Sequence, residues 1–217
     1  FVRRFPRELP RSAEDELRTL GREAFGPLLS RPGAWAFWWP RFERIAAWFV
    51  AEERGRRASL AESLVETGGR LVLSLPAGSF TITAVADRID RLASGDLAIT
   101  DYKTGGVPQK QEIDAAIAVQ LPLEGAIAEA GGFEIAAAPV AALEYWRLGG
   151  GNPAGTRLPL SDDPGALIAR VVAEIGDFIA RYDDPATPYR IVPRIRWAPR
   201  FSDYAHLERR EEDEDEW

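Results

Sequence analysis

The stretch from Gly69 to Lys103 restricts the fold more than any other part of the chain. Leu71, Leu73 and Leu75 alternate with other side chains, Pro76-Ala77-Gly78 turns the chain, and Phe80, Ile82 and Ala84 alternate again into Asp87-Arg88-Ile89-Asp90. A second turn at Ser94-Gly95-Asp96 leads into Leu97-Ala-Ile-Thr-Asp-Tyr-Lys103. Period-two patterning broken by short Gly/Pro turns predicts a three-stranded antiparallel meander. Such a sheet needs helices to cover its apolar face, and the flanking sequence supplies them.

Upstream, Ser12 and Asp15 form a capping-box-like start, and Leu17, Leu20, Ala24 and Leu28 recur at helical spacing, which predicts a helix over about 12–29. Trp38, Phe42, Ile45 and Phe49 fall on one face of a second helix, with Pro40 in its first turn. The cluster Trp35, Phe37, Trp38 and Trp39 fits an aromatic core or interface at that spacing, ahead of a stacking platform for nucleic-acid bases. Downstream, Ile113, Ile117, Gln120, Leu121 and Ile127 predict one helix from Gln109 to about Ala130, ended by Gly131-Gly132. A strand over 138–148, a Gly/Pro loop and a helix over about 164–181 follow, and the chain from Tyr182 reads as extended and Pro-interrupted. The order of helices, three strands, helix, strand and helix predicts an α/β protein with one mixed sheet flanked by helices. We divide the chain into a helical segment (1–57), an α/β core (58–182), an Arg/Pro-rich segment (183–207) and an acidic tail (208–217).

Composition removes several chemistries. The 217 residues include no cysteine and one histidine, His206, so thiolate nucleophiles, cysteine zinc sites and iron–sulfur clusters are excluded and His-based triads are disfavoured. The apolar stretches are too short for a membrane span or a signal peptide, which points to a cytoplasmic protein. Methionine is absent and the chain opens on Phe1, so we expect an upstream part of the same polypeptide. The net charge is -7, of which the last ten residues carry -5. That tail reads as a solvated end, whereas Arg190, Arg194, Arg196 and Arg200 form a basic run able to meet phosphates or an acidic partner.

The densest set of reactive groups is Asp87, Asp90, Asp101 and Lys103, on two adjacent predicted strands. Asp101 and Lys103 project from one face with Tyr102 between them on the other. If the hairpin sets Asp87 beside Asp101, two carboxylates, a backbone carbonyl and water suit Mg²⁺, and the lysine can orient or acidify water or neutralise a phosphate. An Asp-x-Lys on a strand is also a common exposed ion pair. The lysine is notable because 25 of the 27 basic residues are arginine; only Lys103 and Lys110 are not.

Ala86-Asp87-Arg88-Ile89-Asp90-Arg91-Leu92, then Ile99-Thr-Asp101-Tyr102-Lys103-Thr104-Gly105, then Gln120-Leu121-Pro122-Leu123, resembles the RecB-type nucleases of the PD-(D/E)XK superfamily. Within these it is most similar to the C-terminal nuclease domain of the AddB subunit of bacterial AddAB helicase–nucleases, over roughly 35–205. The resemblance implies a restriction-endonuclease-like αβββαβ core whose first helix lies before Phe1. It implies that Asp87, Asp101 and the Tyr102 carbonyl bind Mg²⁺ (or Mn²⁺), that Lys103 acts on the attacking water, and that Gln120 contacts the site or the DNA. Asp90 is then structural, paired with Arg88 or Arg91. The implied partners are single-stranded DNA and an AddA-like helicase–nuclease subunit, with a role in double-strand break repair and recombination, and no membrane. Ala84 stands where the family has glycine, Glu124 where it has tyrosine, and the upstream Gly-x-x-x-His-x-x-x-Glu segment is not found.

A non-catalytic nuclease-like scaffold that docks the partner and guides a strand is the second reading. The acidic net charge fits either reading, since DNA affinity comes mainly from phosphate neutralisation and a larger assembly would deliver the strand. An unrelated hydrolase using paired carboxylates as acid and base explains neither Lys103 nor Gln120.

Overall fold

The computed structural model describes residues 1–188, and the chain divides into two units, Phe1–Asp177 and a second beginning at Phe178. His206, the acidic tail and the arginines of the basic run lie outside the described residues. Five strands form one sheet in the order β1 (Leu60–Leu75), β2 (Gly78–Leu92), β3 (Leu97–Lys103), β4 (Val140–Leu148), β5 (Gly155–Pro159). β3 and β4 run parallel and the other neighbours antiparallel, so the sheet is mixed as expected. Helices α1 (Ala13–Phe25), α2 (Trp39–Arg56), α3 (Lys110–Asp114), α4 (Gln120–Glu129) and α5 (Pro164–Tyr182) accompany it.

The principal core lies where α4 and α5 meet the sheet. Ile89, Ile99, Leu121 and Ile127 are fully buried there, with Leu143, Ile168 and Val171 beside them. Burial of each such side chain stabilises the fold by about 1.5–3 kcal/mol relative to exposure. The α4 terminus follows the predicted glycine stop. Gly131 has φ +72°, its N–H donates to Ala128 O, and Gly132 N–H donates to Ile127 O, the paired bonds of a Schellman motif. Gly132 also hydrogen-bonds Arg70 N–H through its carbonyl, and a Cβ on it would lie 2.1 Å from Arg70 O. The helix end is thus pressed against β1.

A smaller cluster on the opposite face joins Phe49 of α2 to Trp146 of β4, with Tyr102 packed edge-on to Trp146. The α2 face differs from the expected one. Trp39, Ala46, Phe49, Val50 and Glu53 are buried, while Trp38 is 60% exposed. A π turn over Ala34–Trp38 precedes the helix, and its wider turn takes Trp38 off the regular α2 spacing. Trp39 becomes core, with Trp35 stacked on it at 6.1 Å, and Phe37 and Trp38 face outward.

Four further elements depart from the sequence reading. Ser12 makes no side-chain cap; α1 instead carries Glu14, Asp15 and Glu16 in its first turn, where the helix dipole favours anions, and its last residues give way to a 3₁₀ turn over Gly26–Ser30. The helix expected over Gln109–Ala130 is two helices. α3 opens with a capping box between Gln109 and Glu112, the chain then reverses at Ala116 with φ +48°, and Ile117 is left 42% exposed. The apolar spacing continued in phase across this break, so periodicity did not reveal it. β5 falls within the expected Gly/Pro loop and pairs Thr156 to Pro159 with Arg147 to Glu144. Residues 183–188 form turns, with Thr187 Oγ1 donating to Arg181 O.

Candidate active site

The sheet changes character at Asp87. The β1–β2 ladder pairs Val65 with Arg88 and Thr67 with Ala86, and between these Glu66 takes φ +52°. The facing side chains change phase there: Ala84 and Ala86 pack into the α4/α5 core before the irregularity, and Ile89 after it. On the other side the β2–β3 ladder stops at Arg88–Thr100. Beyond that last pair the Asp87 carboxylate takes over, Oδ2 accepting a hydrogen bond from Tyr102 N–H at 2.8 Å. Strand irregularities of this kind re-aim side chains. This one brings Asp87 to the backbone between Asp101 and Lys103.

Pleating then sorts β3. Asp101 and Lys103 face α4, while Thr100 and Tyr102 face α2. Asp101 is 2% exposed. Lys103 Nζ donates to Asp101 Oδ1 at 3.0 Å and lies 2.8 Å from Oδ2, a close ionic contact without hydrogen-bond alignment. Gln120 reaches the pair from the first turn of α4. Its Nε2 donates to Asp101 Oδ1 at 2.7 Å and to Glu124 Oε1 at 3.0 Å, and its Oε1 accepts from Lys103 Nζ at 3.3 Å. Lys103 also lies 5.7 Å from the centre of the Tyr145 ring.

Asp101, Lys103 and Gln120 therefore meet directly, and Asp87 is joined to them through the Tyr102 backbone. Glu124, which in the sequence stands out only as a departure from the expected tyrosine, is buried beside them. Burial foremost, with the charges of Asp101 and Asp87, pushes its carboxyl up to about 7 against the pull of Gln120 and Lys103. Burial likewise raises the Tyr145 hydroxyl. A cavity of about 680 Å³ opens on the site, lined by Lys103, Gln120 and Tyr145 and by Val107, Pro108 and Ile117 of the segment where the expected helix breaks.

Asp90 is structural. Arg88 Nε donates to its Oδ1 at 2.7 Å, and Arg56 Nε and Ser63 Oγ each approach within 2.5 Å. Arg91 bonds the carbonyls of Gly95 and Ala136 instead. Arg88 also pairs with Glu53 and donates to Tyr102 OH at 3.2 Å, and Arg56 bridges to Thr100 and Glu144. Burial opposes the Arg88 charge, and the surrounding Tyr102, Asp90 and Glu53 more than offset it, raising its pKa. Glu53, Arg56 and Glu144 escaped the sequence reading, although a glutamate in the apolar stripe of α2 was a visible signal.

The oxygens present fit a small, hard divalent ion. Asp101 Oδ2 is buried and takes no hydrogen bond from the described residues, and the Asp87 carboxylate uses Oδ2 for Tyr102 N–H. Among the described residues no group of three or more His, Cys, Asp or Glu side chains could hold a metal, so two carboxylates would need a backbone carbonyl and water or substrate to complete the coordination.

A mixed sheet flanked by helices, with an Asp/Asp-x-Lys set where two strands part, is the architecture of a restriction-endonuclease-like domain. Residues 1–191 match the PD-(D/E)XK nuclease superfamily, and the chain belongs to it. It is also similar to uncharacterized proteins of Rickettsia felis and Rickettsia typhi, each 33% identical over 98 residues, or 45% of this chain. The matched region spans 11% of the length of those relatives. No helix among the described residues is long and apolar enough to cross a membrane.

Proposed function

We propose that this chain is a metal-dependent DNA nuclease domain that hydrolyses phosphodiester bonds in single-stranded DNA. The observation that carries this reading is the contact of Lys103 with both Asp101 and Gln120 at the point where β2 and β3 separate. An ordinary surface ion pair would not have a 2%-exposed carboxylate and a helix-borne amide built around it.

Asp87, Asp101 and the Tyr102 carbonyl would hold Mg²⁺, with Mn²⁺ as a substitute. The chemistry such an ion supplies is acidification of water and neutralisation of phosphate charge. Lys103, held by Asp101 and Gln120, orients the attacking water and offsets negative charge developing on the phosphate. The water oxygen bonds to phosphorus, the ester P–O bond breaks, and the proton lost by the water is returned to the departing alkoxide. Asp101 keeps the ammonium in place and Gln120 limits its swing.

The resemblance of the Asp87–Leu92, Ile99–Gly105 and Gln120–Leu123 runs to AddB-type subunits supports a finer reading. In it the domain is an exonuclease carried by a bacterial helicase–nuclease acting in double-strand break repair, beside an AddA-like partner that delivers the unwound strand. The acidic charge of the chain favours such delivery over autonomous DNA capture. The scaffold alternative draws on the two-carboxylate ligand set.

The test uses the complete protein with its partner, the partner's own nuclease disabled. Mg²⁺-dependent cutting of single-stranded DNA that disappears in Lys103→Ala, with unwinding intact, supports the assignment. Cutting unchanged in that variant refutes it.

A further inference from the structure

The Gln120 side chain has one carbonyl end and one NH₂ end, and its neighbours determine which end goes where. Both Nε2 protons are used, towards Asp101 Oδ1 at 2.7 Å and Glu124 Oε1 at 3.0 Å, while Oε1 receives Lys103 Nζ at 3.3 Å. Turning the amide over would set its oxygen against the Asp101 carboxylate and its NH₂ against an ammonium, so both contacts would become repulsive, and the bond to Glu124 Oε1 would be lost. Asp101 is already shared with Lys103. Glu124 is the acceptor that commits the second proton.

Glu124 is also held where it is. It lies one turn along α4 from Gln120, is 1% exposed, and its neighbour Gly125 is so close to α5 that a Cβ there would lie 2.6 Å from Ile168 Cδ1. Its Oε1 bond to Gln120 is the one hydrogen bond its side chain makes among the described residues, and Oε2 has none. A carboxyl buried with so little compensation costs stability. What it gains is a fixed amide one turn earlier.

We propose that Glu124 is a positioning residue: by accepting from Gln120 Nε2 it orients the amide so that the carbonyl oxygen faces Lys103 and keeps the ammonium against Asp101. The proposal rests on the nuclease reading above. Glu124 itself does not touch the substrate.

Four variants of the complete protein test it: Glu124→Leu, Glu124→Gln, Gln120→Ala and the double variant Gln120→Ala/Glu124→Leu, each assayed for Mg²⁺-dependent cutting of single-stranded DNA. Glu124→Leu lowers kcat by about 30- to 100-fold with KM within about twofold, because a mis-set ammonium affects the reaction more than binding. Glu124→Gln keeps an acceptor of equal reach and recovers most of that loss. The double variant is no slower than Gln120→Ala, because Glu124 acts through Gln120. Should leucine not be accommodated, Glu124→Met carries the same comparison.

Wild-type cutting matched by Glu124→Leu overturns the inference alone, as does a double variant whose losses multiply or a Glu124→Gln as slow as Glu124→Leu. A wild type that does not cut overturns the nuclease reading and this inference together.

Discussion

The two faces of β3 both carry buried charged groups and use them in opposite ways. On the α2 face Glu53, Arg88, Asp90, Arg56 and Glu144 form a closed set of ion pairs in which each carboxylate meets a guanidinium, with Arg88 Nη2 alone lacking a hydrogen bond among these five residues. On the α4 face Asp101 and Glu124 are as deeply buried, yet among the described residues each keeps an oxygen without a hydrogen bond, and the cation beside them is Lys103. Buried charge is tolerated when paired, and the first set is paired for structure. The second is left under-compensated where strands separate, an arrangement that supports the proposed nuclease reading. Arginine, with its planar multi-donor fork, serves the closed set; lysine, a compact point charge, serves the open one.

Breaking each face should therefore have a different signature. The largest effect is expected at Lys103. Lys103→Ala should cost at least about 10³-fold in cutting, some 4 kcal/mol of barrier, a larger effect than the destabilisation from leaving Asp101 with Gln120 as its remaining donor. Arg88→Met should do the reverse, leaving Glu53 and Asp90 buried without their partner and costing about 3–5 kcal/mol of stability in chemical denaturation. If Arg88→Met melts like wild type, the closed set is not structural.

Glu124 provides a pH test of the open face. Its folded pKa of about 7 lies above its ordinary 4.5, so between those values the unfolded chain has released a proton that the folded chain still holds. Stability contributed at this position is full below about 4.5, falls as pH rises and levels off above about 7. Measured with chelator present, wild type should lose on the order of 3 kcal/mol relative to Glu124→Gln across that window. A parallel pH dependence of the two proteins would show that Glu124 ionises normally.

Two smaller effects bound the comparison. Gly132→Ala, whose Cβ would collide with Arg70 O, should cost about 1–3 kcal/mol by forcing α4 away from β1. Phe37→Ser, at a side chain 73% exposed, should change stability by less than about 0.5 kcal/mol in the same denaturation assay.

Much of this was legible in the residues. Alternation and turns gave β2 and β3, the Gly131-Gly132 pair gave the end of α4, and Asp101 and Lys103 were expected to share a face. The break at Ala116 was not legible, because a turn that preserves helical phase leaves the apolar spacing intact. Nor was β5, a five-residue strand that hairpins onto β4 from a Gly- and Pro-rich stretch whose composition reads as a loop. Trp38 was placed on the buried face although it closes a π turn that no residue pattern announced, and within α2 the buried face runs through Ala46, Val50 and Glu53, which a reading of large apolar residues passed over. Glu124 was seen as an added charge, but its bond to Gln120 was not.

The sequence by itself determined the class of fold and set Asp101 and Lys103 on one face of a strand, since period-two and helical spacing act locally and Asp-Tyr-Lys alternates faces on any strand. Tertiary structure decided their arrangement. Asp87 comes to the Tyr102 N–H because the β2–β3 ladder ends at Arg88–Thr100, and Gln120 meets Lys103 because α4 is pinned at its far end by Gly132 on β1. These contacts span 15 and 17 residues, and they depend on where a strand ladder ends and how a helix packs, which residue spacing alone does not encode.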